Sequence, residues 1–405
     1  MKRVLLFSIH YPPTNSAASA RSGCMAKYLP KYGWVPMVVA GKTPAYLPVD
    51  HSYVRDLPRE YLVAEIPYNS KGFLSSFFHY EGLIRSFKPG FYPGKWVNNA
   101  IQILPRILDT NKINAIWATY PPVGTLYLAN YCSRRFGIPW IADFRDFPGE
   151  HGLPEAFYRR LRMYRDKLEN KRLVRSAAII TTVSKGLADM IRRETRRDVY
   201  DIMNGFDPDD MDDNHNSMFE KFNLVFIGSF YKNMSPRPIL NALATLLDSK
   251  KIAEKDVVVS FYCINRNEMN DDLKGYPYGN ILSIDPPVRR EKCYKICRSG
   301  LVLMLPGPHP PGVVTSKIFT YLASQRPILA GPQCSDCIKE ILGETNAGAA
   351  CSSVRGIADV LLKWYREWKK TGMVKYNGRK EAIMQYSRER QAGRLAELLD
   401  SIYQR

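Results

Sequence analysis

The chain has 405 residues, 45% hydrophobic and 24% charged, with 58 Lys and Arg against 39 Asp and Glu and a formal charge of +19. That length accommodates two domains, each with a full core, and the composition excludes disordered, fibrous and low-complexity chains. The positive excess points to an acidic partner, whether nucleic acid, anionic lipid or phosphorylated substrate, and is silent about fold.

In chain order, MKRVLLFSIH begins like a signal peptide, but the apolar run ends at His10 with no small-residue cleavage site, so it reads as a first strand. No stretch approaches the ~18–20 apolar residues of a membrane span. The expectation is a cytoplasmic chain, soluble or resting on the inner membrane face, with reduced thiols among its eight scattered cysteines. Cys293, Cys297, Cys334 and Cys337 can be drawn as a zinc set, but their flanks read as ordinary helices and no metal is expected.

Strands are predicted at RVLLFSI, VPMVVA, AIWAT, IPWIADF and AAIITTV, with helices over 17–32, 123–136 and 155–175 between them. The alternation restarts after the turn-rich IMNGFDPDDMDDNHNS with FNLVFIG, DVVVSFY, NILSID, LVLML and PILA, separated by helices over 236–250, 289–298 and 315–323. The boundary falls near Gly205, and a last helix is expected over roughly 379–403. This pattern predicts an α/β chain of two Rossmann-like doubly wound domains facing across a cleft at the strands' carboxyl ends.

Several strand exits carry polar chemistry. The first lacks the G-x-G-x-x-G of a dinucleotide site; its loop, HYPPTNSAASARSG, instead presents His10, Asn15 and Arg21, which suits a polar substrate. IADFRDFPGEH gathers Asp143, Arg145, Asp146, Glu150 and His151 at another exit, where the alternative is a structural ion pair around Arg145. GSFYKNMSPRP places Gly228, Lys232 and Arg237 after the second domain's first strand.

GVVTSKIFTYLASQRPILAGP is the most informative stretch. Thr315 and Ser316 are expected to cap a short helix, with Lys317 in its first turn, where the backbone already carries partial positive charge. A cation there makes sense if a phosphate or diphosphate binds the exposed amides. The run Asp207, Asp209, Asp210, Asp212 and Asp213 reads as a solvated hinge rather than a metal site.

The positive charge concentrates in YRRLRMYRDKLENKRLVR, a basic amphipathic helix with Leu161, Tyr164 and Leu168 on one side. It fits an anionic membrane surface or a solvated face over a core stripe. KGFLSSFFHYEGLIRSFKPGFYPGKW mixes aromatic and basic residues, including Trp96, as a membrane interface or lipid-linked acceptor would require. No recognisable nucleic-acid module accompanies them, so nucleic acid is not the expected partner.

Taken together, HYPPTNSAASAR, LPKYGW, ATYPPVGTLYLANYCSRRFGIPWIADFRD, AAIITTVSKG, NGFD, GSFY and SKIFTYLASQRPILA resemble, in order and across almost the whole chain, the GT-B glycosyltransferases of the family-4 type. The resemblance implies an acceptor-binding domain over 1–205, joined by a returning helix at about 385–405, and a donor-binding domain over 206–384. It also implies a nucleotide-sugar donor, a glycan or lipid-linked acceptor, retention of configuration and no cofactor or metal. Donor contacts would come from Gly228, Lys232, Gly312, Val313, Val314, Thr315, Ser316, Lys317 and Thr320. Asp143, Arg145 and Asp146 would lie near the transferred sugar, with Lys317 stabilising the leaving diphosphate, and His10, Asn15 and Arg21 would face the acceptor. Family members commonly carry two glutamates separated by seven residues, and here those positions hold Gly312 and Thr320.

Overall fold

Strands of three to nine residues, most of them apolar runs, build two all-parallel sheets. The computed structural model describes residues 1–43, 47–54, 57–67, 95–147, 157–211, 219–230, 234–263 and 273–404. It divides into one unit of Met1–Met203 with Arg388–Arg405 and a second of Asn204–Ser387.

The first unit holds β1 (Lys2–Ser8), β2 (Trp34–Lys42), β3 (Leu62–Pro67), β4 (Ala115–Tyr120), β5 (Trp140–Phe144), β6 (Ile179–Thr182) and β7 (Val199–Asp201), in spatial order β3-β2-β1-β4-β5-β6-β7. Its helices are α1 (Ala17–Tyr28), α2 (Lys95–Asn111), α3 (Gly124–Phe136), α4 (Phe157–Leu173), α5 (Lys185–Thr195) and, from the chain's end, α12 (Arg388–Tyr403). Because side chains alternate along a strand, Leu5 and Phe7 enter the core layer shared with α2, α3 and α5, while Val4 and Leu6 enter the layer shared with α1 and α12. On α12, Ala392, Leu395, Ala396, Leu399 and Ile402 fill that second layer. Trp34 Nε1 donates to Asp400 at 2.8 Å, and Lys2 pairs with the same carboxylate.

The second unit holds β8 (Phe222–Gly228), β9 (Val257–Cys263), β10 (Leu282–Asp285), β11 (Val302–Leu305), β12 (Ile328–Ala330) and β13 (Gly348–Ala350), ordered β10-β9-β8-β11-β12-β13. The helices are α6 (Arg237–Asp248), α7 (Arg290–Ser299), α8 (Lys317–Ser324), α9 (Asp336–Thr345), α10 (Val354–Thr371) and α11 (Lys380–Met384). Phe222, Leu224 and Phe226 of β8 pack with Ile239, Leu243 and Leu361 beneath the sheet.

Several expectations need correction. The three unpredicted strands, β3, β7 and β13, all lie at sheet edges, where one side of the strand is open and no continuous apolar run is required. The helix expected over 17–32 stops at Tyr28 and continues as a 3₁₀ turn, since Pro30 has no N–H for the α ladder. The helix expected over 379–403 is broken at 385–387, where Phe206 donates its N–H to the Tyr386 carbonyl and bridges to Ser387.

The acidic run is solvated only in part where it is described: Asp209 is exposed, but its neighbours are held. Asp207 is buried and accepts from the Asp209 N–H at 3.1 Å, while Asp210 pairs with Arg290 and its carbonyl accepts from Arg298. Two arginines of the α7 region hold this turn against the unit. Asp212 and Asp213 lie outside the described residues. Trp96 is core rather than interface, buried with its Nε1 donating to the Ala40 carbonyl at 3.3 Å, and residues 71–94 of the aromatic-basic stretch are outside the description.

Candidate active site

In the second unit the strand order reverses between β8 and β11, the switch point at which open parallel sheets leave a crevice beyond the strands' carboxyl ends. Gly228 ends β8 there with φ 119°, and a Cβ on it would lie 2.5 Å from Lys317 Cε. The missing side chain is what lets Lys317 lie across the strand end, with its Nζ 5.6 Å from the centroid of the Phe226 ring. Lys317 keeps some surface, but its ammonium end is packed. Burial there lowers it from the ordinary 10.5 to about 8.

Helix α8 is held in place from below. Ile318, Phe319, Tyr321, Leu322 and Ala323 are buried, and the Tyr321 hydroxyl accepts from the Ile227 N–H at 3.2 Å, tying the helix to the strand beside Gly228. The expected side-chain caps are not made. Ser316 has helical φ of −62° rather than the extended backbone of a capping residue, and among the described residues the buried Thr315 hydroxyl has no hydrogen-bond partner.

The loop before α8 is braced from the other side. Gly312 takes φ 75°, its carbonyl accepts a 3.8 Å contact from Cys337 Sγ, and the Val313 carbonyl accepts from Ser335 Oγ at 2.6 Å. Across the same planar peptide, the Val314 N–H points away from α9. Thr320 is half-buried on α8, one turn beyond Lys317. Lys232 lies outside the described residues.

His309 on the same loop was not among the expected residues. Its backbone N–H donates to the Gln333 carbonyl at 3.0 Å, and burial together with the charge of Lys317 lowers its imidazole pKa to about 4. The signal available was its position, four residues past a buried strand in LVLMLPGPH, obscured by the surrounding prolines.

In the first unit, Arg21 and Asp143 do not have the roles expected of them. Both are 0% exposed: Arg21 donates Nη2 and Nε to Asp143 at 2.6 and 3.0 Å. Thr119 and Thr181, which flank Asp143 in register on β4 and β6, each donate a hydroxyl to it at 2.8 Å. With every carboxylate oxygen engaged and no surface, the pair is an interior strut between α1 and β5, out of reach of sugar or acceptor. The structural ion pair therefore exists, but its cation is Arg21 rather than Arg145.

The remaining residues retain surface. His10 is half-buried, its carbonyl accepting from Ser8 and Ser22 at 2.8 Å each, and burial aided by Arg145 lowers its imidazole pKa. Arg145 donates to the Pro121 carbonyl, and burial, opposed by Asp146 and Asp143, brings it down to about 10. Asp146 is exposed and Asn15 half-buried; Glu150 and His151 lie outside the described residues. The four cysteines drawn as a zinc set do not form one. Cys293 and Cys297 are free thiols hydrogen-bonded to each other, which lowers the Cys293 thiol pKa, while Cys337 reaches the Gly312 carbonyl. Among the described residues no three His, Cys, Asp or Glu side chains converge on a metal position.

On α4, Tyr164 and Leu168 are 54% and 67% exposed, so these two residues of the expected stripe face outward; the Leu161 side chain lies outside the description. Lys167 and Lys171 both pair with Glu194, at 3.0 and 2.7 Å, and Arg172 pairs with Glu169 at 2.9 Å. Part of the basic charge is thus neutralised within the unit.

No protein-family model and no curated protein sequence matches the chain. Solved structures do. A glycosyltransferase from Rickettsia africae superposes with TM-score 0.66 at 13% identity, over 99% of this chain and 98% of that one. Anabaena HepE in complex with UDP-glucose gives 0.65 at 12%, over 99% and 100%. A Listeria monocytogenes protein assigned as a UDP-N-acetylglucosamine 2-epimerase gives 0.58 at 8%, over 100% and 97%. The shared feature is the fold, two parallel-sheet α/β domains of the GT-B kind.

Two outcomes follow from these geometries. Asp143→Ala leaves Arg21 charged and unpaired in the core, which costs about 3–5 kcal/mol; thermal melting should fall by roughly 10 °C, and an unchanged melting temperature would remove the strut. Lys317→Met should do the opposite. The folded lysine at about 8 lies below the unfolded 10.5, so the unfolded state binds more protons between them and the penalty is present below pH 8 and relieved as pH rises to 10.5. Melts across pH 6–11 should show the methionine variant stabilised by up to about 3 kcal/mol at pH 7, the gain vanishing at the alkaline end.

Proposed function

We propose that the chain is a glycosyltransferase that takes a sugar from a nucleotide-diphosphate donor at the β8/β11 switch point and passes it to a glycan acceptor, with retention and without a metal. The observation that carries this reading is Lys317, a desolvated ammonium laid across a glycine at the start of a helix. Holding a cation there costs stability, and a bound diphosphate recovers that cost through charge and helix-terminal amides together.

The chemistry asks for such a group. As the bond from the anomeric carbon to the diphosphate oxygen breaks, negative charge grows on the leaving phosphate, and a preorganised cation in a low-dielectric setting stabilises it more there than in the ground state. The acceptor oxygen bonds that carbon on the departing side, and its proton passes to the leaving phosphate. His10, Arg145, Asp146 and Asn15 remain as acceptor- and sugar-side candidates; Arg21 and Asp143 do not. Thr320 offers the ribose a neutral hydrogen bond where a glutamate would offer a charge-assisted one of about twice the strength.

The UDP-glucose complex of the Anabaena neighbour supports a nucleotide sugar as donor. The Listeria neighbour supports a second reading, an epimerase on the same fold, which would convert the donor with no acceptor present. For the acceptor we favour a lipid-linked glycan in surface-polysaccharide assembly at the cytoplasmic face of an anionic membrane. The exposed Tyr164 and Leu168 on the basic α4 support it, and among the described residues no helix is long and apolar enough to cross a membrane.

Two measurements test these proposals. In a panel of UDP-, GDP- and dTDP-sugars, at least one should raise the melting temperature of the unsubstituted chain and none that of Lys317→Met; stabilisation that survives the substitution would remove the diphosphate assignment. The chain should co-sediment with vesicles containing anionic lipid and detach as salt rises past about 0.5 M, where screening reaches a few Å. Leu168→Glu should weaken that binding, and equal binding to neutral vesicles would reject the membrane assignment.

A further inference from the structure

The loop from β11 to α8 contains two polar side chains whose hydrogen-bonding groups are buried and unused. His309 is 7% exposed, and among the described residues neither of its ring nitrogens has a partner; Thr315, also 7% exposed, has an orphaned hydroxyl. Interiors rarely leave such groups unsatisfied, because each has lost water and gained nothing in return. Both precede Lys317 on one continuous loop, and His309 is close enough for that ammonium to disfavour its protonation.

The protonation state restricts what the imidazole can bind. With burial and Lys317 holding it to about 4, the ring is neutral near pH 7 and offers one N–H donor and one accepting nitrogen. A diphosphate only accepts, so it can serve the N–H but never the other nitrogen. A ligand that satisfies both must bring a donor beside its anionic oxygens, and the hydroxyls of the rings joined to a nucleotide diphosphate are such donors. The loop does not yield easily: Gly307 lies so close to the Pro332 carbonyl that a Cβ would stand 2.2 Å from it, and the backbone N–H of His309 is held by the Gln333 carbonyl.

We infer that His309 is a specificity-determining residue whose accepting nitrogen binds a donor hydroxyl, on the ribose or the transferred sugar, next to the diphosphate held by Lys317. This rests on the glycosyltransferase reading, since it needs a nucleotide sugar in the crevice. It adds a recognition element in the loop where the resemblance's first glutamate position holds Gly312.

Calorimetric titration of the full chain separates the possibilities, using inorganic diphosphate, UDP and the tightest-binding nucleotide sugar of the panel against the unsubstituted protein, His309→Leu and His309→Gln. The leucine keeps the volume and removes both polar atoms. It should weaken the nucleotide sugar about tenfold while leaving inorganic diphosphate within about twofold. The glutamine, with an amide donor and acceptor, should recover part of the loss. The UDP arm places the hydroxyl: a UDP affinity weakened as much as the nucleotide sugar's assigns it to the ribose, and an unchanged one to the transferred sugar. If the leucine variant does not fold, the same comparison is read from His309→Ala. Unchanged nucleotide-sugar affinity, or equal losses for it and inorganic diphosphate, would overturn the inference and leave the proposed function standing. An unsubstituted protein that binds no nucleotide sugar would overturn both.

Discussion

The approach of Lys317 to Gly228 is the constraint around which the second unit's crevice is arranged. A side chain at residue 228 would occupy the lysine's own carbon chain, and an ammonium so placed loses enough water to titrate at about 8. Everything nearby serves to keep that position. Tyr321 ties α8 to the end of β8, Ser335 and Cys337 take up the carbonyls of the preceding loop, and the buried face of α8 leaves the helix no room to rotate. A flexible side chain thereby becomes a fixed charge, which is the property that electrostatic stabilisation of a leaving group requires.

The first unit spends its buried charge differently. Arg21 and Asp143 are matched to each other, and the two flanking threonines complete the carboxylate's hydrogen bonds, so both of its oxygens are engaged within the unit. On the loop after β11, by contrast, the His309 ring nitrogens have no hydrogen-bond partner among the described residues. The contrast separates two kinds of buried polar group: a saturated network holds elements together, whereas an unsatisfied one is a candidate for binding a ligand.

The fold was legible to the extent that burial forces apolar runs. Every central strand is legible as an apolar run because both of its faces are covered, as with RVLLFSI and LVLML; of the four edge strands only β10 is marked by its sequence, NILSID, while β3, β7 and β13 are short or polar. In the site, Gly228 and Lys317 could be read locally, one from its place at a strand end and the other from the oddity of a cation at a helix start. Arg21 and Asp143 could not be read correctly, since the residues that saturate them come from strands and a helix distant in the chain. Trp96 was misplaced for the same reason: its partner, Ala40, lies on a strand 56 residues away.

By itself, then, the sequence determined the alternation of strands and helices, the restart near Gly205 and the presence of a cation in the first turn of α8, because each of these is set by neighbours within one element or one turn. Only the tertiary structure decided which charged groups are struts and which are available. Desolvation and pairing depend on atoms brought together from remote segments, so the same aspartate, arginine or histidine can be inert or poised according to what the fold packs against it. His309 is the clearest instance: nothing in PGPHPPG distinguishes it, and that its ring is buried with neither nitrogen partnered among the described residues is a property of the folded chain alone.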